Sequence, residues 1–213
     1  MREKKIILFD LDDTLIYTFQ NSYLKITYAL QQMNRSRYTP TINEFIQVYG
    51  IIPFPDCMLQ WIKKEDLFDF LQHYEKSKEK LPYQSICSLD LLKNFLSDHD
   101  LRCGLITNTP EDRIFQKVEQ VFSREILFEF IFSNANKPDP IGILRAKQYF
   151  AVNGSEIVYI GDSLIDYATS LAANVDFIAV TTGTTKMEQF CDAGLITPRI
   201  YKSVTEILTC TYL

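Results

Sequence analysis

The sequence lacks the features typical of membrane proteins, nucleic-acid-binding proteins and disulfide-bonded secreted proteins. Among its 213 residues, 22 are Lys or Arg and 27 are Asp or Glu, so the formal net charge is -5. This charge gives no support to binding of nucleic acid or of an anionic membrane. No apolar run approaches membrane-spanning length, and the first one ends at Asp10, too early for a secretory signal. We therefore expect a cytoplasmic protein that binds neither nucleic acid nor membrane.

Cysteine and histidine are also scarce. The cysteines are Cys57, Cys87, Cys103, Cys191 and Cys210. They are scattered, odd in number and without a Cys-x-x-Cys pair, which predicts reduced, mostly buried thiols of a cytoplasmic protein. His73 and His99 are far apart and have no metal-ligand residues beside them. We interpret both histidines as surface residues or as core residues whose hydrogen bonds are satisfied.

The most informative stretch that the chain does contain is residues 4–15, KKIILFDLDDTL. Four apolar residues between Lys5 and Asp10 predict a strand that is buried on both faces. Its carboxyl end would place Asp10 and Asp12 at the edge of the sheet where open α/β folds bind ligands. Two carboxylates on the same side of an extended chain need a cation, a shared proton or solvent. The alternative is a capped turn, in which Asp13 or Thr14 begins a helix.

Strands and helices alternate in the later part of the chain. Beyond about residue 82, short apolar strands alternate with amphipathic helices, which is typical of βαβ units and a mainly parallel sheet. Between residues 19 and 81 only helical segments are predicted. The predicted fold class is therefore α/β, with a Rossmann-like parallel sheet core of residues 1–16 and 84–213 and an inserted all-helical domain of residues 17–83. The predicted strands after the first are residues 101–106, 128–132, 157–160 and 175–181.

Polar residues recur where these strands end. Asp10 and Asp12 follow the first strand, Thr107 and Asn108 the second, Lys137 lies after the third, and Asp162, Ser163 and Asp166 follow the fourth. Taken singly, each group has an ordinary explanation as a helix cap, a loop lysine or a turn. Right-handed crossovers place the carboxyl ends of parallel strands on one edge of the sheet. The order of the four groups, each at a strand end, therefore favours one shared site.

The residue types in this set fit the removal of a phosphoryl group. A carboxylate can act as a nucleophile and form an acyl-phosphate that water later hydrolyses. A phosphate dianion approaches a carboxylate only when their charges are offset, which Mg²⁺ held by oxygen ligands would do. A lysine and a hydroxyl at a helix start bind phosphate oxygens. A second carboxylic acid can protonate the leaving oxygen and then activate water.

These motifs resemble those of the haloacid dehalogenase-like (HAD) hydrolases. The matching segments are Asp10-Leu11-Asp12-Asp13-Thr14, Thr107-Asn108, Lys137-Pro138 and Gly161-Asp162-Ser163 with Asp166. The resemblance spans the whole core, and the helical insertion is similar to the C1-type cap domain of subfamily I, as in phosphoglycolate-phosphatase-like members. It implies a Mg²⁺-dependent phosphatase that acts on a small phosphorylated metabolite through an aspartyl-phosphate, as a monomer or a dimer.

The resemblance also implies a role for each matching residue. Asp10 resembles the nucleophile and a metal ligand, and Asp12 the general acid and base whose backbone carbonyl also binds the metal. Thr107, Asn108 and Lys137 resemble the phosphate-binding residues, with Lys137 also offsetting the charge of Asp10. Asp162 resembles the remaining Mg²⁺ ligand, and Asp166 the outer acid that orients the metal site or Lys137.

Two departures from the family pattern bear on this assignment. Asp13 stands where many relatives have Gly, which is a familiar variant. Tyr17-Thr18 stands where many capped relatives have Asp-Ser, which weakens an assignment of the substrate by analogy with phosphoglycolate phosphatases. Aromatic residues of the insertion either line a substrate pocket or form its core, and helical spacing favours the core. They are Tyr17, Tyr23, Tyr28, Phe54, Trp61, Phe68 and Tyr74.

Other chemistries of the same fold stay open at this point. Dehalogenases of the family lack the second acid, so Asp12 argues against that activity. Phosphonate hydrolysis would need an imine-forming lysine in the insertion, and a sugar-phosphate mutase would use the same core motifs. A non-catalytic binding module would usually have lost a catalytic carboxylate, and here all are present. The candidate imine-forming lysines are Lys25, Lys63, Lys64, Lys76 and Lys78.

Overall fold

A computed structural model of the protein describes residues 4–34, 38–122 and 128–210. The chain forms two compact units. The first consists of Met1–Tyr17 with Gln84–Leu213, and the second is Thr18–Tyr83. The second unit is thus inserted into the first between its first strand and the rest of its chain. The assignment of this insertion as a cap domain stays a prediction, to which we return below.

The first unit is built on a six-stranded sheet in the order β3-β2-β1-β4-β5-β6, with every neighbouring pair parallel. This confirms the predicted α/β fold class with a Rossmann-like parallel sheet. The strands are β1 (Ile6–Phe9), β2 (Arg102–Ile106), β3 (Phe130–Phe132), β4 (Ile157–Gly161), β5 (Asp176–Val180) and β6 (Ile200–Tyr201). The two-residue strand β6 at the sheet edge was not predicted from the sequence, because it is too short to produce an alternating pattern.

Strand β1 occupies the centre of this sheet because its side chains are apolar on both faces. All four of its residues are buried, as are all five residues of its neighbour β4. Ile7 is in register with Cys103 on one side and with Val158 on the other. The ladder continues one step beyond the strand, where the Asp10 N–H donates to the Ile160 carbonyl at 2.9 Å. The backbone of Asp10 is therefore fixed by the sheet itself.

Helices connect these strands, and serine side chains cap three of them as their sequence positions suggest. Ser88 accepts a hydrogen bond from the Leu91 N–H at the start of α4 (Leu89–Asp98), and Ser163 accepts one from the Asp166 N–H at the start of α7 (Leu164–Ala173). Ser203 accepts one from the Glu206 N–H at the start of α9 (Val204–Thr209). The helices of the first unit are α4 (Leu89–Asp98), α5 (Glu111–Phe122), α6 (Ile141–Phe150), α7 (Leu164–Ala173), α8 (Met187–Asp192) and α9 (Val204–Thr209).

The second unit contains helices and no strand among its described residues. It contains α1 (Phe19–Gln32), α2 (Ile42–Ile46) and α3 (Leu67–Lys80). The predicted helical region over residues 56–77 is wrong in its first half. That part forms two short 3₁₀ turns, Asp56–Gln60 and Lys64–Asp66, separated where Lys63 is extended. Met58 and Ile62 are both buried, and their spacing of four residues is the one an α-helix would give. The more tightly wound 3₁₀ turns therefore show the same apolar spacing in the sequence as an α-helix.

Aromatic side chains form much of the core of this second unit. The Phe19 ring stacks on Phe45 with 5.5 Å between centroids, and the centroid of the Tyr23 ring lies 5.7 Å from that of Phe45. Trp61 and Tyr74 pack against the same cluster. Tyr23, Trp61 and Tyr74 thus pack against the core of the insertion, whereas Phe54 is 42% and Phe68 74% exposed. The core interpretation accordingly accounts for those three.

Two broader expectations can be compared with the structure. All five cysteines are free, with Cys57, Cys87 and Cys103 buried and the other two exposed. The reduced, mostly buried thiols expected from the sequence are therefore found. Of the helices in the described residues, none combines the length and the apolar character needed to span a bilayer.

Candidate active site

The polar groups predicted at the strand ends meet at one edge of the sheet. Lys137, in the loop between β3 and α6, donates from Nζ to Asp10 Oδ1 at 2.6 Å and to Asp166 Oδ1 at 2.6 Å. The side chains of all three residues are less than a tenth exposed. Asp162 lies beside them, because one carboxylate oxygen each from Asp10, Asp162 and Asp166 fall within 4.8 Å of one another. Three distant segments of the chain thus share one buried cluster.

Asp166 holds the lysine of this cluster in place. Besides Lys137, its Oδ1 accepts a hydrogen bond from the Tyr159 hydroxyl at 2.8 Å. Its Oδ2 accepts from the Ser163 N–H at 3.2 Å and from the Ser163 hydroxyl, within the capping box that begins α7. Both oxygens are therefore saturated by protein donors. We infer that Asp166 orients Lys137 and has little capacity left to bind a metal ion directly.

Asp10 and Asp162 are the carboxylates that remain for a cation. Among the described residues, Asp162 accepts a side-chain hydrogen bond only from Thr14, at 3.3 Å. Three carboxylates against the one ammonium of Lys137 leave two negative charges in a buried cluster. Such a surplus needs a positive ion or a retained proton, and a set of oxygen donors suits a hard divalent cation such as Mg²⁺. The residues present therefore fit the metal that the sequence motifs imply.

The electrostatics of the cluster follow from the same arrangement. Burial, reinforced by Asp166 and Asp12, raises the pKa of Asp10 to about 7 although Lys137 pulls it down. Burial and the charges of Asp166 and Asp10 raise the pKa of Asp162 well above its usual range. For Lys137, burial disfavours the charge, but Asp10 and Asp166 outweigh it and raise the pKa of the ammonium. Lys137 is therefore charged, and the carboxylates of Asp10 and Asp162 are destabilised as anions.

This charge surplus predicts how stability depends on pH when metal is removed. Asp10 has a pKa of about 7 in the folded chain against an ordinary value of 3.8, so the folded state retains a proton that the unfolded chain loses. The associated stabilisation is complete below the unfolded pKa and is lost as the pH rises through about 7. We expect the free energy of unfolding, measured by urea denaturation in EDTA, to fall between about pH 5 and about pH 8. Asp10→Asn should make the free energy of unfolding depend less on pH. An unchanged slope in that variant would contradict the attribution of this pH dependence to Asp10.

Gly183, in the loop after β5, packs directly on Asp162. A methyl group at this position would overlap the Asp162 Oδ2 atom and would also crowd Asp13. The same loop is tied to the strand β1 turn by the Thr182 hydroxyl, which donates to the Asp13 carbonyl. Asp13 itself has a φ of 57°, a left-handed conformation that Gly, Asn and Asp adopt most readily. Sequence reasoning did not single out Gly183, because a loop glycine carries no chemical signal by itself.

Thr107 and Asn108 follow β2, and both contribute to the local order of the site. The Thr107 hydroxyl accepts from the Thr109 N–H at 3.0 Å, and among the described residues no acceptor is found for its own proton. That proton is free to be donated to a phosphate oxygen. The Asn108 side chain is exposed, and its carbonyl accepts from the Lys137 N–H at 2.8 Å. Asn108 thus fixes the loop that carries Lys137, a contact that its predicted role in phosphate binding did not include.

Asp12 is held apart from the buried cluster. Its carboxylate is 26% exposed and forms an ion pair with the ammonium of Lys117 on α5. The hydroxyl of Thr109 donates to the other carboxylate oxygen. The predicted metal ligand on this residue is its backbone carbonyl, so the orientation of its carboxylate does not bear on that part of the prediction. Lys117 had not been identified from the sequence.

Comparison with known proteins agrees with this site. A sequence model of the family described as "Haloacid dehalogenase-like hydrolase" matches residues 7–180, a span that contains every residue of the cluster. The chain belongs to the haloacid dehalogenase-like hydrolase family. This membership confirms the resemblance that the motifs indicated, and with it the prediction that the chain is a hydrolase.

The relatives of this HAD-like hydrolase are named as phosphatases. A phosphoglycolate phosphatase of Colwellia psychrerythraea is 26% identical over 200 residues, which cover 86% of this chain and 87% of the relative. A phosphoglycolate phosphatase of Cereibacter sphaeroides is 28% identical over 192 residues, with coverages of 83% and 85%. These two names agree with the predicted phosphatase class.

A solved structure extends the comparison to the fold. A Thermotoga maritima protein assigned as a β-phosphoglucomutase superposes with a TM-score of 0.76 at 17% identity, covering 96% of each chain. At this identity the likeness supports the shared fold and nothing about the reaction. The HAD-like fold is thus established by both sequence and structure.

Proposed function

We propose that the chain is a Mg²⁺-dependent phosphatase that hydrolyses a small phosphomonoester through an aspartyl-phosphate on Asp10. The observation that carries this proposal is the buried cluster in which Lys137 bridges Asp10 and Asp166 beside Asp162. A cluster with surplus negative charge is suited to bind a divalent cation, and a charged lysine beside the nucleophile is suited to bind a phosphate dianion. The two phosphatase relatives point to the same reaction class.

Asp10 and Asp162 would hold the metal, together with the Asp12 carbonyl. When bound there, Mg²⁺ would offset the negative charges of the nucleophile and the phosphate, which otherwise repel one another. Asp10 is suited to the nucleophilic role because the sheet fixes its backbone and Lys137 fixes its carboxylate. The bond formed is between an Asp10 oxygen and phosphorus, and the bond broken is between phosphorus and the ester oxygen.

The phosphate oxygens would be bound by Thr107 and Lys137. The Thr107 hydroxyl is oriented by the Thr109 N–H and has its own proton to donate. The three N–H bonds of Lys137 are directed at Asp10, Asp166 and Tyr159, and the bond to the Tyr159 hydroxyl is the longest at 3.2 Å. Of the three hydrogen bonds, this one would cost the least free energy to replace with a hydrogen bond to a phosphate oxygen. Lys137 would then bridge the nucleophile and the phosphate.

Asp12 would transfer the protons of both half-reactions. It would donate one to the ester oxygen as that oxygen leaves, and it would then accept one from the water that hydrolyses the aspartyl-phosphate. These two transfers restore Asp12 to its initial state and release the alcohol and inorganic phosphate. A side chain near the cluster yet outside it suits this role, since it is not occupied by the cation.

The substrate and setting are part of the same proposal. We propose that the helical unit, Thr18–Tyr83, acts as a cap domain that selects a small phosphorylated metabolite. The free cysteines favour a cytoplasmic setting. Release of inorganic phosphate should be measured across a panel of phosphorylated metabolites, beginning with phosphoglycolate, with Mg²⁺ and with EDTA. Metal-dependent release from at least one phosphomonoester is expected, and equal rates with and without metal would contradict the proposal.

Phosphonate hydrolysis is a second candidate because of one buried lysine. Of the five candidate lysines in the second unit, Lys25 is 2% exposed, and its ammonium lies 3.9 Å from the centroid of the Tyr83 ring. The other four are exposed. A buried lysine loses its charge more easily and so forms imines more readily. Borohydride trapping in the presence of a phosphonoaldehyde would label Lys25 if phosphonate hydrolysis occurs. The sugar-phosphate mutase alternative would be revealed by product analysis after incubation with a sugar phosphate.

A further inference from the structure

Lys117 occupies a position on α5 where an apolar residue would be expected. Ile114, Val118 and Phe122 form the buried face of this helix, and Lys117 lies between them in register. Its side chain is only 10% exposed. By contrast the apolar side chain of Phe115, on the same helix, is 51% exposed. Burial of an ammonium costs free energy unless the ammonium is paired with an anion. The group with which Lys117 pairs therefore indicates the role of this lysine.

Asp12 is a partner of this ammonium. Lys117 Nζ donates to Asp12 Oδ1, and the Thr109 hydroxyl donates to Asp12 Oδ2. Lys117 Nζ also lies 3.4 Å from Thr109 Oγ1, so the three groups form a closed triangle. Lys117 lies on α5, and Thr109 lies two residues before that helix begins at Glu111. Each oxygen of the Asp12 carboxylate therefore has a donor from this one segment of the chain.

We propose that Lys117 is a positioning residue that, together with Thr109, fixes the Asp12 carboxylate for proton transfer. This inference rests on the proposed function, because it assigns Lys117 a role only through the acid and base of that reaction. Asp12 lies on a turn and is partly exposed, so its side chain would otherwise sample several rotamers. A general acid and base must lie within hydrogen-bond reach of the reacting oxygen, and small misplacements cost about 10²-fold in rate.

A charged pair of this kind has two possible roles, which a double-mutant cycle distinguishes. If Lys117 merely stabilises the fold, its loss should slow the enzyme by the same factor whether or not Asp12 is present. If it acts through Asp12, its loss should have no further effect once Asp12 is replaced. The turnover of Asp12→Asn must be measurable for this comparison. An aryl phosphate with a good leaving group eases the first half-reaction, because its departure needs little protonation. Hydrolysis of the aspartyl-phosphate also uses Asp12, so the rate of aryl alcohol release in the first turnover is measured together with kcat.

The experiment compares Lys117→Met, Asp12→Asn and the double variant at saturating Mg²⁺. We expect Lys117→Met to lower kcat by about 10- to 100-fold, with KM and the Mg²⁺ requirement changed by no more than about twofold. In the Asp12→Asn background, Lys117→Met should lower kcat by less than about twofold further. Lys117→Arg should recover part of the rate, since it restores a donor. An alkyl phosphate, a poorer leaving group, should show a larger loss than the aryl phosphate.

Controls keep the result specific to the Lys117 side chain. Arg113 lies one turn earlier on α5 and is exposed, so Arg113→Met removes a cation from the same helix and should leave kcat unchanged. If Lys117→Met does not fold, as judged by circular dichroism, Thr109→Val tests the same positioning role, because it removes the other donor to the Asp12 carboxylate. Coupling between Thr109→Val and Asp12→Asn would then support the proposal. Equal losses in both backgrounds, or an undiminished kcat in the folded Lys117→Met variant, would overturn it.

Failure of the proposed function would give a different result. If the chain did not use Asp12 in hydrolysis, Asp12→Asn itself would retain full activity, and Asp10→Asn would do the same if no aspartyl-phosphate formed. If both of those variants lose activity and Lys117→Met shows no coupling to Asp12, the proposed function stands and the role of Lys117 is rejected.

Discussion

Replacement of Asp10 by Asn is expected to lower kcat for phosphate release by about 10⁴- to 10⁶-fold. The substitution preserves the size of the side chain and removes the nucleophilic oxygen charge. It also removes the partner of Lys137, whose ammonium lies 2.6 Å from Asp10 Oδ1. Loss of a covalent nucleophile leaves only the catalysis supplied by binding, which explains the size of the effect. Release of inorganic phosphate from an aryl phosphate with Mg²⁺ measures it.

A matched substitution and a chemical trap make this result decisive. Asp112→Asn changes an exposed aspartate on α5 and should leave kcat within about twofold of the original. Mass spectrometry of acid-quenched protein should detect a phosphoryl group on Asp10 during turnover, and hydroxylamine should remove it. Full activity of Asp10→Asn would reject the aspartyl-phosphate mechanism. Loss of activity would instead argue against a non-catalytic binding module.

The centre of the fold could be predicted from the sequence because its residue pattern is compatible with few other structures. An apolar strand directly followed by Asp10 and Asp12 fits a central parallel strand, and the observed β1 is buried throughout. Once parallel βαβ units are accepted, the strand ends must share one edge, so Lys137 and Asp162 are brought near Asp10 by topology alone. The convergence found in the structure follows from that constraint.

Residues that support the site were less predictable, because their roles depend on tertiary packing. Lys117 and Asp12 are 105 residues apart in the chain, and nothing in the sequence near either one indicates the other. The available signal was the position of a lysine three residues after Ile114 and one before Val118, on the helix face that should be apolar. Gly183 gave no signal, since its requirement arises only from the closeness of Asp162.

Chain segments dominated by packing were also harder to assign than the motif-bearing strands. Residues 56–66 contain buried Met58 and Ile62 at a spacing that an α-helix would produce, but the chain forms short 3₁₀ turns. Apolar periodicity reports which residues face a core and says little about how tightly the backbone turns between them. A strand as short as β6 contains too few residues for any period to be read.

Metal removal is the second change expected to have a large effect. EDTA should lower kcat by about 10²- to 10⁴-fold, and added Mg²⁺ should restore it. Asp162→Asn should cause a similar loss that Mg²⁺ does not restore, since among the described residues this side chain forms no ion pair and accepts only one long hydrogen bond, from Thr14. Mg²⁺ should also raise the Tm of the unaltered protein and leave that of Asp162→Asn unchanged.

Asp166→Asn provides the comparison that separates the two kinds of carboxylate in the cluster. Because protein donors saturate both oxygens of Asp166, its loss should loosen Lys137 and lower kcat by only about 10- to 100-fold. The response of kcat and of Tm to Mg²⁺ should survive in this variant. If instead Asp166→Asn abolished the metal response and Asp162→Asn preserved it, the cation would be bound by Asp10 and Asp166. The inference drawn from hydrogen-bond saturation would then be wrong, since a saturated carboxylate would have exchanged its protein donors for the ion.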